Sequence, residues 1–292
     1  MSDLAQISNI FFSSHKFPRI NPIAFSIGPF NVHWYGIGYL LGITIGYLYS
    51  INLVKRSYLW KDNISPISNA NLDDFIIWAS LGIIIGGRLG NVILWDYVYY
   101  VNNPIEIFKI WHGGMAFHGG LIGMIVACII FAYKRNINCL SLLDIVASSA
   151  PIGLGIVRIC NFINGELWGK PTSLPWGIIF PHADSSPRHP SQIYEAILEG
   201  AMLFIILYIA VHLYKTLKFQ GKTAGLFCIY YSFARIISEY FRERDIGPAW
   251  FETIFHNTVI SYGMFLCLPL LILGISLITY SKCKNTSYVF VK

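Results

Sequence analysis

The stretch Gly153-Leu-Gly-Ile-Val-Arg-Ile-Cys-Asn-Phe-Ile-Asn-Gly-Glu-Leu-Trp-Gly169 places one cation, Arg158, inside an otherwise apolar run. An arginine side chain keeps its proton, so in lipid it needs an anion, a carbonyl dipole or water as a partner. Asn161, Asn164 and Glu166 follow directly behind it. The stretch therefore predicts a site inside a membrane, for a ligand that carries negative charge.

The composition of the whole chain is that of a membrane protein. Apolar residues make up 55 % and charged residues 12 %, and the mean hydropathy is +0.55. Soluble domains carry about a quarter charged residues. Spanning segments are expected to be helices, because their backbone groups must be satisfied without water. We predict an all-α integral membrane protein, with residues 1–292 forming a single polytopic membrane domain.

Seven apolar runs approach the roughly 20 residues that a helix needs to cross a bilayer. The predicted spans cover about 34–54, 75–95, 115–133, 142–160, 195–214, 223–241 and 258–280. The longest loop on the outer side, about 161–194, is rich in proline, glycine, histidine and tryptophan. Long loops are often binding segments, so we expect this one to form a small head over the outer face.

The basic residues predict the orientation of the chain. Eleven of them lie in alternate short segments: Lys55, Arg56, Lys61, Lys134, Arg135, Lys215, Lys218, Lys222, Lys282, Lys284 and Lys292. Short loops rich in lysine and arginine face the cytoplasm, which predicts the N-terminus out and the C-terminus in. The net charge of +6 then reflects orientation and does not indicate a nucleic-acid partner.

Three arginines at membrane depth, Arg88, Arg158 and Arg235, carry the functional prediction. Only two acids, Glu199 and Glu239, are expected to match them, which predicts a surplus of buried positive charge. Guanidinium groups bind phosphate through paired, charge-assisted hydrogen bonds, so the surplus favours a phosphate ligand. The alternative is structural: Arg235 and Glu239 are four residues apart and can pair along one helix face.

Two histidines are candidates for the chemistry. His118 follows a glycine-rich segment that would let a large ligand approach the backbone. His189 lies in Arg188-His-Pro-Ser-Gln-Ile-Tyr-Glu195, which also reads as an ordinary entry into a helix. Each has a structural alternative, since a histidine near a membrane surface is usually not catalytic. Beside buried arginines, His118 is the candidate general base.

Glycines at intervals of four in the second span, Gly82, Gly86 and Gly90, predict close packing against a neighbouring helix. Other chemistries have no support in the sequence. It contains no H-E-x-x-H zinc helix, no P-loop and no G-x-S-x-G elbow, and we expect no cofactor and no metal. A transporter or flippase for an anionic lipid, and a purely structural membrane scaffold, stay open as rivals to an enzyme.

The chain resembles the prolipoprotein diacylglyceryl transferase family of bacterial inner-membrane enzymes. The matching pieces run in family order: His33-Trp-Tyr-Gly36, Gly87-Arg-Leu-Gly90, Gly113-Gly-Met-Ala-Phe-His-Gly-Gly120, the run from Arg158 to Gly169, Arg188–Glu195 and Phe233-Ala-Arg-Ile-Ile-Ser-Glu239. Two departures are visible. Cys160 stands where the family usually has glycine, and Ala116 where serine is common; both are small and neither removes a titrating group.

The resemblance implies seven transmembrane helices, a periplasmic head and an active site toward the periplasm. It implies transfer of diacylglycerol from phosphatidylglycerol to the lipobox cysteine of a preprolipoprotein, with release of glycerol phosphate. Positions important for activity in the family match His118, Arg158, Tyr231 and Arg235. The other expected site residues are Asn161, Asn164 and Glu166 for the headgroup, Glu239 to orient Arg235, Arg88 and Tyr35 to line the cavity, and His189.

Overall fold

The computed structural model describes residues 15–289 except Arg19, Pro29, Trp111, His112, Asp245, Ile246, His256 and Asn257. Of the residues used above to predict orientation, Lys292 lies outside the described residues, as do the first fourteen residues of the outer N-terminal segment. The described chain is mostly helical, as the composition predicts.

The helices follow the predicted runs closely. In chain order they are α1 (Trp34–Lys55), α2 (Asn69–Leu94), α3 (Tyr97–Asn102), α4 (Phe117–Arg135), α5 (Cys139–Ile163), α6 (Ser191–His212), α7 (Lys222–Phe241), α8 (Ala249–Phe255) and α9 (Tyr262–Val289). Short 3-10 turns cover Ser57–Leu59, Lys61–Asn63, Pro104–Phe108 and Thr216–Lys218. Polar side chains begin several helices: Ser68 accepts from Asn71 N at α2, and Asn138 accepts from Ser141 N at α5.

Six helices in the described part of the chain are long and apolar enough to cross a membrane: α1, α2, α4, α5, α6 and the Tyr262–Cys283 part of α9. The prediction of an all-α, multi-pass membrane protein is therefore confirmed at that level. The seventh predicted span, α7, does not meet the same measure of hydropathy. It carries Arg235 and Glu239 together with buried serines, so its inward face is polar.

The described residues group into two compact units. The first comprises those of Met1–Gly46, Ala150–Ile206 and Tyr230–Arg244. It holds two small sheets: β1 (His15–Lys16) pairs in parallel with β4 (Ile178–Ile179), and β2 (Ile23–Ile27) pairs antiparallel with β3 (Phe30–His33). The first pairing joins the N-terminal segment to the predicted head loop.

The second unit comprises the described residues of Tyr47–Ser149, Leu207–Ile229 and Asp245–Lys292. Its apolar core packs Leu53 and Trp60 against Phe75, Phe131 and Leu142, all nearly or fully buried. Asp144, fully buried in α5, accepts hydrogen bonds from Gly221 N and Ala224 N at 2.7 and 2.8 Å. That carboxylate satisfies amides at the start of α7, which would otherwise lack partners.

Close packing of α2 against α4 confirms the prediction from the glycine spacing. A Cβ atom at Gly86 would lie 2.7 Å from Gly123 Cα, and one at Gly90 would contact the backbone of Gly119. Real Cβ atoms do not approach so closely, so these backbones touch only because neither helix has a side chain there. Small residues are the usual means of close approach between membrane helices.

Candidate functional site

Three arginines and three glutamates form a buried ion network in the first unit. Glu195 is its centre: its carboxylate lies 2.9 Å from Arg158 Nε, 3.2 Å from Arg235 Nη1 and 3.1 Å from Arg242 Nη1. Glu199 lies 3.1 Å from Arg158 Nη2. Glu195 and Glu199 are fully buried, and the arginine side chains are at most 13 % exposed.

Glu239 completes the network through Arg235 Nη2. The Arg235–Glu239 pair that the spacing predicted is present, as one part of a larger set, and whether its role is only structural stays untested. Tyr231, almost fully buried, lies close enough to Arg158 and Arg235 to interact electrostatically with both. Two of the predicted site residues on α7, Tyr231 and Arg235, therefore lie near Arg158 on α5, and Glu239 joins them through Arg235.

The predicted surplus of buried positive charge is wrong for this network. Two residues were missing from the count: Glu195, which ends the predicted helix entry, and Arg242, which directly follows α7. With both included, the formal charges of Arg158, Arg235 and Arg242 balance those of the three glutamates. Burying a charge without a partner costs several kcal/mol, which explains why each guanidinium brings its own acid.

A stretch of π-helix carries Glu199 and begins directly after Glu195. The chain is α-helical over Ser191–Glu195, π-helical over Ala196–Met202 and α-helical again from Leu203. Both Glu195 and Glu199 direct their carboxylates to Arg158. Single π-turns inside α-helices occur frequently at functional sites, so this geometry is a signal that the sequence alone did not give.

Arg158 keeps one end of its guanidinium free of this network. Its Nε and Nη2 bind the glutamates, and its Nη1 has no hydrogen-bond partner among the described residues. The side chain is 13 % exposed, so it is not sealed off. Two N–H donors on a fixed cation are thus available to an anionic ligand.

A turn directly after α5 presents Glu166. Gly165 and Leu167, on either side of it, have φ values of +64° and +56°. Glycine adopts this left-handed conformation freely, whereas for leucine it costs roughly 1–2 kcal/mol. Strain of this kind persists only where neighbouring contacts impose it, and it often marks a functional segment.

The Glu166 carboxylate joins two other predicted site residues. Tyr35 donates its hydroxyl to Glu166 Oε1, and Asn161 Nδ2 donates to the same oxygen at 2.9 Å. Asn161 Nδ2 also donates to the Tyr35 hydroxyl. Tyr35, on α1, and Asn161, on α5, are therefore brought together with Glu166, and their contact with the headgroup stays a prediction. Asn164, one turn after Cys160, follows on the same segment.

Ser191 and Gln192, at the start of α6, hold the strained turn in place. Ser191 Oγ donates to Leu167 O at 2.8 Å, and Gln192 Nε2 donates to Glu166 O. Both side chains are fully buried. From its sequence this motif predicts a helix entry, and neither Ser191 nor Gln192 was expected in the site.

His189 lies in an aromatic cluster of the head loop. Its ring packs 5.3 Å from Phe241, and its Nδ1 lies 3.1 Å from the Tyr194 hydroxyl. Trp176 Nε1 donates to that same hydroxyl at 2.7 Å. Burial, with the cation of Lys170 nearby, holds the pKa of His189 below its ordinary value. The neutral imidazole is favoured there, and its Nδ1 shares a hydrogen bond with the Tyr194 hydroxyl.

Arg88 belongs to the second unit and anchors a loop. Its five N–H donors all meet backbone carbonyls, those of Glu106, Ile107, Lys109, Gly113 and Gly114. With 4 % of its surface exposed, it keeps its charge, which the carbonyl dipoles stabilise, and all of its donors are occupied. A contact between Arg88 and substrate stays a prediction.

His118 also belongs to the second unit. It is the second residue of α4, and its ring packs edge-on against Phe117 at 5.5 Å. The loop that Arg88 anchors leads into this helix start, where Ala116 N donates to Gly87 O at 2.9 Å. The structure thus fixes the backbone around His118, and its role as a base stays a prediction.

Comparison with known proteins gives one consistent result. A family model described as prolipoprotein diacylglyceryl transferase matches residues 22–280. Proteins named phosphatidylglycerol–prolipoprotein diacylglyceryl transferase are 47 % identical in Bartonella tribocorum, 50 % in Bartonella quintana and 45 % in Mesorhizobium japonicum. These alignments cover 96, 91 and 90 % of this chain and 97, 92 and 91 % of the relatives.

Proposed function

The chain belongs to the prolipoprotein diacylglyceryl transferase family, and on that basis we propose that it transfers the diacylglyceryl group of phosphatidylglycerol to the cysteine thiol of a prolipoprotein. The product is a thioether, and glycerol phosphate is released. This is the first step in the maturation of bacterial lipoproteins. The buried arginine–glutamate network in the first unit is the observation that supports this proposal at the level of individual residues.

Arg158 is the proposed phosphate ligand. Its Nη1 donors are available, while Glu195 and Glu199 fix the rest of the guanidinium. Because the network is formally neutral, the site offers preorganised donors to the phosphate and not excess charge. Arg235, oriented by Glu239, and Tyr231 are the proposed second and third contacts. Arg88, Tyr35 and His189 remain proposed substrate contacts without a specific atom assigned.

The reaction is a displacement at the glycerol carbon that bears the phosphate. The thiol sulfur forms the new S–C bond, the C–O bond breaks, and its electron pair leaves with the phosphate oxygen. The thiol proton must be removed, because a thiol is mostly protonated at neutral pH and the thiolate is the nucleophile. His118 is the proposed base that takes this proton.

We place the protein in the bacterial inner membrane with its site toward the periplasm. The basic residues support an outer N-terminus and an inner C-terminus. We further propose that α7 is a seventh span whose polar face lines the site, since Arg235 and Glu239 are buried in it. Residues 161–194 would form the periplasmic head of a single membrane domain. Phosphatidylglycerol and the preprolipoprotein are the proposed partners, with no nucleic acid.

Product formation in detergent tests the function directly. Purified protein, phosphatidylglycerol and a lipobox peptide should yield the diacylglyceryl thioether, detected by mass, together with glycerol phosphate. A peptide with serine in place of the cysteine is the matched control and should give no product. A lipid transporter or scaffold would also have buried arginines, but it would form no thioether, and that outcome would reject the proposal.

A further inference from the structure

The strained turn around Glu166 is surrounded by hydrogen-bond acceptors that have no donor. Asn161 Oδ1, Asn164 Oδ1 and Gln192 Oε1 are buried and have no hydrogen-bond partner among the described residues. Gln192 is fully buried and Asn161 is 3 % exposed. A buried amide oxygen left unsatisfied costs about 1–3 kcal/mol, so three of them around one turn need a reason.

The orientation of two of these amides is fixed by their other ends. Asn161 Nδ2 faces the Glu166 carboxylate, which can only accept, so the NH2 group must be on that side. Gln192 Nε2 faces the Glu166 carbonyl, and the same argument applies. Turning either amide over would place two acceptors against each other. Their oxygens therefore point away from Glu166 as acceptors.

The three amides are connected through the turn that carries Glu166. Asn161 donates to the side chain of Glu166 and Gln192 to its backbone carbonyl, and Asn164 lies two residues before Glu166 on the segment that leaves α5. Together with the carboxylate, the group is rich in acceptors. It suits a ligand that brings hydrogen-bond donors and no negative charge of its own at that point, which is the chemistry of a polyol.

We infer that Gln192 is a specificity-determining residue, whose Oε1 accepts a hydroxyl of the headgroup glycerol within an acceptor group completed by Asn161 and Asn164. This inference rests on the proposed function. Arg158 binds the phosphate, and the hydroxyls beyond it satisfy the amide oxygens. A lipid whose headgroup lacks hydroxyls leaves those buried oxygens unpaired, and sites built to bind a hydroxyl reject such analogues strongly.

Phosphatidylpropanol is the probe, because it keeps the phosphodiester charge and the three carbons of the headgroup but has no hydroxyl. For the wild type, we expect the ratio of kcat/KM with phosphatidylglycerol to kcat/KM with phosphatidylpropanol to be at least about ten. Gln192→Leu should reduce that ratio by about tenfold, the effect of one hydrogen bond. A ratio that Gln192→Leu leaves unchanged overturns the inference, even if both rates fall, because a merely structural role would affect the two lipids equally.

Ser191→Ala is the matched control. It removes the neighbouring bond to the same turn, from Ser191 Oγ to Leu167 O, without touching an unpaired acceptor. Any loss should be equal for both lipids, and a changed ratio would count against the assignment to Gln192. If the Gln192→Leu protein does not accumulate, Gln192→Met takes its place and the same ratio of the two kcat/KM values is measured. A wild-type ratio near one overturns the inference. Absence of product from phosphatidylglycerol would instead reject the proposed function.

Discussion

At the scale of single residues, pairing determines what each buried arginine can do. All N–H donors of Arg88 bind backbone carbonyls, whereas Arg158 binds Glu195 and Glu199 and keeps one nitrogen, Nη1, available. Two arginines that look alike in the sequence thus differ in availability. The difference depends on contacts with residues distant in the chain, which explains why residue counting at membrane depth gave the wrong charge balance.

His118 is predicted to act as the base that removes the thiol proton. His118→Gln should lower kcat by about a hundredfold or more, because general-base catalysis contributes at least that much. Thioether formation on a lipobox peptide measures it, with KM determined separately to exclude weakened binding. His182→Gln, at an exposed histidine of the head loop, is the control and should be normal. A decrease in kcat of less than about tenfold for His118→Gln would indicate that His118 has a structural role and is not the base.

The lowered pKa of His189 predicts that the head is less stable in acid. A group whose pKa is depressed by folding contributes its full stability above its unfolded value, about 6.5, and loses that contribution as the pH falls. The advantage in Tm of wild type over His189→Gln should therefore shrink from about pH 8 to about pH 5.

Lys170→Met provides the control for this pH dependence. Without the nearby cation, the charged imidazole is less disfavoured, so the loss of Tm on acidification should become smaller. A difference in Tm between wild type and His189→Gln that stays constant with pH would contradict the assignment of the pH dependence to His189.

At the scale of elements, the sequence predicted helices better than their irregularities. Apolar length located the spans to within a few residues, and the glycine spacing on α2 identified the contact with α4. The π-helical stretch Ala196–Met202 and the positive φ of Leu167 had no decisive local signal, because a single glycine, Gly200, does not distinguish a π-helix from an α-helix and leucine rarely adopts a positive φ. Tertiary contacts of Glu195 and Gln192 impose them.

The α2–α4 contact should not accept even one methyl group. Gly86→Ala places a Cβ less than 3 Å from the backbone of Gly123, so the helices must separate, at a cost of about 1–3 kcal/mol. A lower Tm in detergent measures it. Gly153→Ala on α5 is the matched control, since its Cβ would meet nothing within 4 Å. Equal Tm values for the two variants would contradict the packing account.

At the scale of the whole molecule, the membrane class followed from composition, and the family followed from motifs spread over most of the chain. Six apolar helices support a multi-pass protein. The mean hydropathy of α7 is lower than theirs because α7 carries polar residues of the candidate site. Hydropathy averages over all faces of a helix. A helix with charged residues and serines along its inward face can therefore have a low mean hydropathy although its other face is apolar.

The predicted orientation places the C-terminus in the cytoplasm. A C-terminal fusion to green fluorescent protein should be fluorescent in cells, and a C-terminal fusion to alkaline phosphatase should be inactive. The same phosphatase inserted at Asp184, in the exposed head loop, should be active. The reverse pattern would invert the topology and move the site to the wrong side of the membrane for a periplasmic reaction.

The central claim is that Arg158 holds the lipid phosphate, and substitution at this position tests it most directly. With phosphatidylglycerol and a lipobox peptide, Arg158→Ala should lower turnover by about a hundredfold or more. Arg158→Lys should also be poor, because an ammonium lacks the planar fork that serves Glu195, Glu199 and the phosphate together. Arg135→Ala, at an exposed pair with Asp74, should behave as wild type. Near-normal turnover of Arg158→Ala would contradict the account.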